Sequence, residues 1–451
     1  MPRAGSMRDE FESGCSGWFD ETFLCMKERG SMKRRGLMFT VLFLSAICIS
    51  LSQLKVVPIL GALSMTMGIS IAETSWLMSV FTIAGIVLAI PGGALVGKLG
   101  PKKLVVCLMV CLFVGNVIGG VSTSYGPLLV SRMIEGVAFA MVATAGIVLI
   151  NMWYPGKNSG LFIGIFMTFA AVASVIAMNT VLPITEAAGL KSVWWIVAGL
   201  SAVLAILVAL VVQEAAPEGG PAGGPAPVKL SAVLSNRNVA LLAFCQFCVG
   251  FVLYFFMTNY PILFGSVYGL DPATANFYTS LNGLWGIPFC IVGGFIVDRL
   301  GAKRAPALIA VSFTCLGVTC LAMTMLGTPT YIVHTFMAAV FPGLIIPAIT
   351  FLIPRVVNNP GEIGYGMAIV SMLYSLGIFV GNPIVMYAIE GTGSWAIGSY
   401  ILLAVCALGC VAAVAFIASA KARLAAQQPL PVPAPDSQAS GAPAEAGVSA
   451  N

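Results

Sequence analysis

The chain has 451 residues, 59% of them hydrophobic and 9% charged, with a net charge of +5. A soluble domain carries roughly a quarter charged residues, so this composition excludes an ordinary water-soluble fold and makes lipid the solvent for most of the surface. The basic excess is spread over short loops and forms no patch, which argues for orientation in a membrane and against nucleic-acid binding.

Residues 1–35 are polar and mixed in charge, and end in Lys33, Arg34 and Arg35. A basic run before an apolar segment resembles the start of a signal peptide, but the following segment is too long for a cleavable one and lacks a small-residue cleavage site. It reads as an uncleaved first span, with Met32 as an alternative start. Apolar runs long enough to span, about 20 residues each, then fall at 37–66, 74–96, 103–123, 127–150, 160–183 and 193–213. A second set falls at 238–264, 275–297, 305–326, 330–353, 364–388 and 395–418. These runs predict an all-α integral membrane protein with twelve transmembrane helices in two six-helix bundles, over 36–213 and 237–420. The stretch 214–236 between them is rich in glycine and proline and reads as a flexible cytoplasmic linker. The Ala-, Pro- and Ser-rich end, 421–451, reads as a disordered cytoplasmic tail.

Loop charge orients the chain. Of 22 lysines and arginines, Lys55 and Arg132 fall inside spans and Lys191 in a loop of the opposite side; all others share one side. That side is the cytoplasm by the positive-inside rule, so both termini are expected there. Short loops and the lack of an organelle signal favour a bacterial inner membrane.

One stretch occurs twice. Residues 93–103 carry Gly93, Gly97, Lys98, Gly100, Lys102 and Lys103; residues 294–304 carry Gly294, Asp298, Arg299, Gly301, Lys303 and Arg304. In each copy an apolar run ends, the chain turns at a glycine, and a basic cluster follows. Pro58-Ile59-Leu60 answers Pro261-Ile262-Leu263, and Pro155-Gly156 answers Pro360-Gly361, at similar offsets. The two halves are therefore pseudo-symmetric copies of one six-span unit.

The 294–304 turn resembles the signature turn of the major facilitator superfamily of secondary transporters, with Asp298 and Arg299 in its acidic and basic places. The first copy departs from the pattern, since Gly97 stands where that family has an aspartate that latches the halves together. Arg132-Met133-Ile134-Glu135-Gly136 is similar to the family's Arg-x-x-Gln-Gly motif. The resemblance covers 36–420 and implies two bundles around a central cavity that is exposed alternately to each side. The single lysine in span 1 is similar to the anion permeases of that family, such as the oxalate–formate exchangers and cyanate-type permeases.

Charges inside spans are expensive, roughly 2.5–3.5 kcal/mol each on translocon scales, so Lys55, Arg132 and Glu135 each need water or a partner. Lys55 precedes Pro58, which leaves the carbonyl of Leu54 unpaired. It reads either as an anion-binding cation or as a lysine snorkelling to the outer interface. Arg132 and Glu135 share a helical face, either as a structural pair or as a proton acceptor and the cation that its protonation frees for substrate. His334 is a second candidate proton carrier, or else a hydrogen-bonded structural residue. Gln53, Tyr254, Asn259, Tyr260, Asn282, Trp285 and Asn382 are candidate substrate contacts, with Asn259 and Tyr260 expected across the cavity from Lys55. The pairs Gly115/Gly119, Gly160/Gly164 and Gly377/Gly381 read as close-packing surfaces, and Cys245/Cys248 as small packing residues.

Two cations against one carboxylate attract anions. The expected function is secondary active transport of a small anion, a carboxylate, by proton coupling or anion exchange; the alternative is an exporter of hydrophobic or cationic compounds. No enzymatic activity, cofactor, metal or nucleic-acid partner is expected, and the protein is expected to act as a monomer in the bilayer.

Overall fold

In lipid every backbone N–H and C=O must be satisfied within its own segment or a closed barrel. The computed structural model describes residues 34–154, 159–214, 233–327, 329–357 and 362–426, all helix and connecting turns with no strand among them. The main segments are α1 (Arg34–Met67), α2 (Ile71–Leu88), α3 (Gly92–Leu99), α4 (Pro101–Val121), α5 (Tyr125–Trp153), α6 (Gly160–Ala188) and α7 (Ser192–Val211). They continue as α8 (Arg237–Tyr268), α9 (Pro272–Ala322), α10 (Thr330–Val356), α11 (Ile363–Thr392) and α12 (Trp395–Ala426).

Eleven helices among the described residues are long and apolar enough to cross a membrane, where the sequence predicts twelve. The difference lies in α9. Its 51 residues would extend about 76 Å as one straight helix, more than twice the hydrocarbon thickness. It breaks at Gly301, whose φ of 70° and ψ of 174° are not helical. Gly100 makes the equivalent turn between α3 and α4 with φ 79° and ψ 147°. Side chains are excluded from this backbone region, which is why both turns carry glycine.

Two boundaries differ from expectation. The first helix already includes Arg34 and Arg35, and α12 continues through Lys421 to Ala426. The run Ala420-Lys421-Ala422-Arg423-Leu424 consists of strong helix formers, which extends the helix past the apolar run. The expected linker lies mostly outside the described residues, as do the tails before residue 34 and after residue 426.

Buried apolar side chains sort by half. Leu42, Leu108, Val142 and Phe166 belong to one cluster of the first half, and Leu54, Leu77, Met178 and Trp194 to another. Phe255, Phe313, Ile349 and Phe416 belong to a third, which Ala72 of α2 joins from across the molecule. Glycines set the tightest approaches inside each half: a Cβ at Gly377 or Gly381 would strike Phe247 or Phe251 of α8, and one at Gly119 would strike Trp194 of α7. Gly160 and Gly164 behave otherwise, since a Cβ there would meet nothing.

A few contacts join the two halves directly. Glu390 of α11 accepts a hydrogen bond from the Ala72 N–H of α2 at 2.9 Å, Trp76 meets Phe379 edge-on at 5.7 Å, and Thr82 donates to the Ser375 carbonyl at 3.4 Å. A Cβ at Gly283 of α9 would touch Ser174 of α6. These contacts lie in the middle and at the end remote from the Gly100 and Gly301 turns. Toward the turns, a Cβ at Gly97, Gly160, Gly164, Gly286, Gly294 or Gly364 would enter open space.

Candidate functional site

Pro58 has no N–H, and α1 pays heed to this by breaking just ahead of it: the α-helix ends in a turn at Lys55–Val56 and resumes as a 3₁₀ turn at Val57–Ile59. The sequence points to the Leu54 carbonyl as the orphan. The carbonyls taken up by a partner are those of Ser52 and Gln53, just before the break. Arg132 of α5 bonds both, through Nη1 to Ser52 O at 2.6 Å and Nη2 to Gln53 O at 2.7 Å. Its Nε donates to the Leu77 carbonyl of α2 at 3.1 Å, so one guanidinium fork ties three helices together. Gly136 permits this approach. Any side chain there would collide with the carbonyl of Phe81 on α2.

Glu135 is the anionic centre of the cluster. Its Oε2 accepts from Ser52 Oγ at 2.7 Å, Lys55 Nζ at 3.0 Å and Arg132 Nη1 at 2.6 Å, while Oε1 accepts from Ser131 Oγ at 3.0 Å. Lys55 Nζ also donates to Asn116 Oδ1 of α4, and Asn116 Nδ2 donates to Ser52 Oγ at 3.1 Å. Lys55 lies 5.0 Å from the centre of the Trp194 ring and Arg132 4.6 Å from that of Phe81. Lys55, Arg132, Glu135, Ser52 and Asn116 are all fully buried. Lys55 therefore does not snorkel, and with all three groups ionised the cluster carries one net positive charge. Ser52, Asn116, Ser131 and Trp194 had no signal in the sequence, because a lone serine or asparagine in an apolar run is common.

Lys55 does not face Asn259 and Tyr260. Each of these turns into its own half. Tyr260 OH bonds His334 Nδ1 at 2.8 Å, and His334 Nε2 lies 2.9 Å from the Thr319 carbonyl. A carbonyl only accepts, so Nε2 carries the proton and Nδ1 accepts from the tyrosine. His334 is thus satisfied as a neutral imidazole. Asn259 Nδ2 donates to Asn382 Oδ1 at 3.1 Å, and Asn282 Nδ2 donates to the Thr335 carbonyl at 3.3 Å. Trp285 packs edge-on to Phe336 with its indole N–H unpartnered among the described residues.

Gln53 and Tyr254 do meet across the halves. The buried Tyr254 hydroxyl lies near the Gln53 side chain, and its ring lies edge-on to Tyr374 at 6.0 Å. Gln53 Nε2 is buried and has no partner among the described residues. An unpaired donor therefore sits two residues before Lys55, where the halves come together.

In the signature turns, Lys98, Lys103, Asp298, Arg299, Lys303 and Arg304 are exposed, and Arg299 lies over the Phe295 ring at 4.2 Å. Asp298 is close enough to Arg355 at the end of α10 to interact with its charge. The first turn has no acid at Gly97, yet Glu214, beyond α7, accepts from the Lys102 N–H at 2.9 Å and packs on Gly100.

The sequence profile described as the Major Facilitator Superfamily matches residues 39–333 and 242–449, which together take in most of the chain. The chain belongs to the major facilitator superfamily. Its eleven membrane-length apolar helices among the described residues agree with a multi-pass membrane protein of that family. Superfamily members similar to it include the "Probable sulfoacetate transporter SauU" of Cupriavidus necator, 23% identical over 52% of this chain and 58% of that protein. The "Probable galactarate/D-glucarate transporter GudP" of Escherichia coli is 23% identical over 54% of this chain and 61% of its own length. An uncharacterized MFS-type transporter of Mycobacterium tuberculosis is 26% identical over 33% of this chain and 20% of that protein. The chain spans about half the length of the curated relatives it matches, or less.

Proposed function

We propose that the protein is a secondary active transporter that carries a small organic anion bearing a carboxylate, by alternating access and coupled to protons. The observation that carries this reading is the uncompensated positive charge of the Lys55–Arg132–Glu135 cluster, fully buried beside the junction of the halves. In a medium of low dielectric such a charge acts over several ångströms. Arg132 binds the backbone carbonyl of Gln53, whose side-chain nitrogen is an unpaired donor next to the Tyr254 hydroxyl. An anion held by these neutral donors has the cationic cluster directly behind it, and its charge compensates the excess.

Glu135 supplies the coupling. A proton on its carboxylate and an anion at Gln53 arriving together leave the net charge unchanged, whereas either alone does not. The relatives named for sulfoacetate and for galactarate or glucarate favour the same substrate class, since all three compounds carry carboxylates. The basic excess on the turn side favours a reading in which that side and both termini are cytoplasmic, in a bacterial inner membrane.

Counterflow into proteoliposomes with a panel of labelled carboxylates and sulfocarboxylates tests the reading. Saturable uptake of at least one, driven by an inward proton gradient, is expected. Uptake driven by preloaded anion and indifferent to the proton gradient would replace proton coupling by exchange. No uptake of any anion, with export of hydrophobic cations, would overturn the substrate class.

A further inference from the structure

The carboxylate of Glu390 stands in the last turn of α11, which ends at Thr392. A helix C-terminus presents carbonyl oxygens and partial negative charge, so an acid there is unfavourable for its own helix. The residue is exposed, so water solvates it in part, and the protein group that its carboxylate binds lies outside α11. That group belongs to the other half. Glu390 Oε2 accepts the Ala72 N–H at 2.9 Å, in the first turn of α2, where the partial charge is positive.

The start of α2 is itself ordered without Glu390. Ser70 and Glu73 form a reciprocal capping box, with Ser70 Oγ accepting the Glu73 N–H at 3.1 Å and Glu73 Oε2 accepting the Ser70 N–H at 2.7 Å. Tyr125 OH donates to the Glu73 carbonyl at 2.7 Å and fixes this turn to α5. The first half therefore offers a rigid, preformed N–H, left over by its own cap, to a carboxylate carried by the second half. Deeper along the same seam, Trp76 against Phe379 and Thr82 against Ser375 give apolar and neutral contacts only. Glu390 brings a charged side chain to the far end of this seam.

We infer that Glu390 is the latch of the far-side gate: its carboxylate clamps the start of α2 and sets how often that side opens. The inference does not depend on which substrate is carried. It needs only that the halves separate at this end during the cycle. The local helix disfavours the acid, and the bond to Ala72 in the closed assembly adds a compensation that water alone does not supply.

Hydrogen exchange on the full-length protein in lipid nanodiscs tests it. In Glu390→Gln the shape is retained, and a neutral acceptor replaces a charged one, a bond roughly half as strong. Amide exchange at Ala72–Trp76 is expected to rise several-fold in Glu390→Gln and about ten-fold in Glu390→Ala, on the scale of one charge-assisted hydrogen bond. Exchange within α4, remote from the seam, should not change. If both variants leave Ala72–Trp76 exchange at the wild-type rate, the latch assignment is wrong. If Glu390→Ala raises exchange but Glu390→Gln does not, shape and not charge closes the gate, and the assignment is equally overturned. Should Glu390→Ala loosen α4 as well, the isosteric Glu390→Gln decides alone: a local rise supports the latch and no rise refutes it.

Discussion

Lys55 and Glu135 are 80 residues apart in the chain and 3.0 Å apart in space, and no water-accessible surface remains on either. Arg132 binds the same carboxylate oxygen at 2.6 Å. Two cations sharing one anion make the cluster asymmetric toward mutation. Lys55→Met leaves a neutral Arg132–Glu135 pair and an apolar side chain of similar length. Glu135→Gln leaves two buried cations with no carboxylate. Removing the shared partner of a buried pair costs about 3–5 kcal/mol, whereas removing the surplus cation is expected to cost far less. Thermal unfolding in detergent checks this. The melting temperature should drop steeply for Glu135→Gln and little for Lys55→Met.

Gly136 gives a steric prediction. Its Cα face abuts the carbonyl of Phe81, so Gly136→Ala must push α5 away from α2 and pull the Arg132 fork off Leu77. The cost expected for overpacking is about 1–3 kcal/mol, with lost contacts adding to it. Gly97→Ala, at a position with open space, should leave stability unchanged. Expression yield and monodispersity of the two variants after solubilisation separate the outcomes.

Gly301 and Gly100 hold a backbone conformation that side chains resist. Gly301→Ala should destabilise by about 1–3 kcal/mol through strain alone, since its surroundings leave room for a Cβ. Gly100→Ala should be worse, because a Cβ there also meets Glu214 Oε1 at 2.8 Å. Melting temperatures of the two alanine variants, compared directly, check the order.

Asp271 caps α9 on the far side of the membrane, where its Oδ2 accepts the Thr274 N–H at 3.0 Å. That bond holds its carboxyl below the usual aspartate range. A depressed folded value stabilises the protein above the unfolded pKa, about 3.9, and this contribution is lost as pH falls through the lower folded value. Asp271→Ala should therefore melt below wild type at neutral pH, and the gap should close under strong acid. A gap that persists unchanged would mean that the carboxylate is not what caps the helix.

The spans were legible because lipid imposes a length and a composition on each of them, and the turns because only glycine fits at Gly100 and Gly301. The importance of Lys55, Arg132 and Glu135 was legible for the same reason, since charge is rare where it is expensive. Their partners were not. Asn116 and Ser52 look like any polar residue tolerated in a span, and only the approach of α4 to α1 makes them ligands of the cluster. Pseudo-symmetry misled on Asn259 and Tyr260: it relates equivalent positions in two bundles but does not say that they face each other. Tyr260 instead meets His334, 74 residues away, inside the second half. Gly160 and Gly164 fit a packing motif, but a Cβ at either would meet no neighbour, so spacing alone did not identify a contact.

The central claim is that surplus positive charge at Lys55 draws the anion to the junction of the halves. Proton-driven uptake of labelled carboxylates by proteoliposomes, measured for wild type and Lys55→Met at matched reconstitution, tests it most directly. The account predicts a folded Lys55→Met protein whose uptake is lost or whose apparent KM rises at least ten-fold, about 1.4 kcal/mol of lost anion stabilisation. Wild-type uptake with an unchanged KM in Lys55→Met would contradict it.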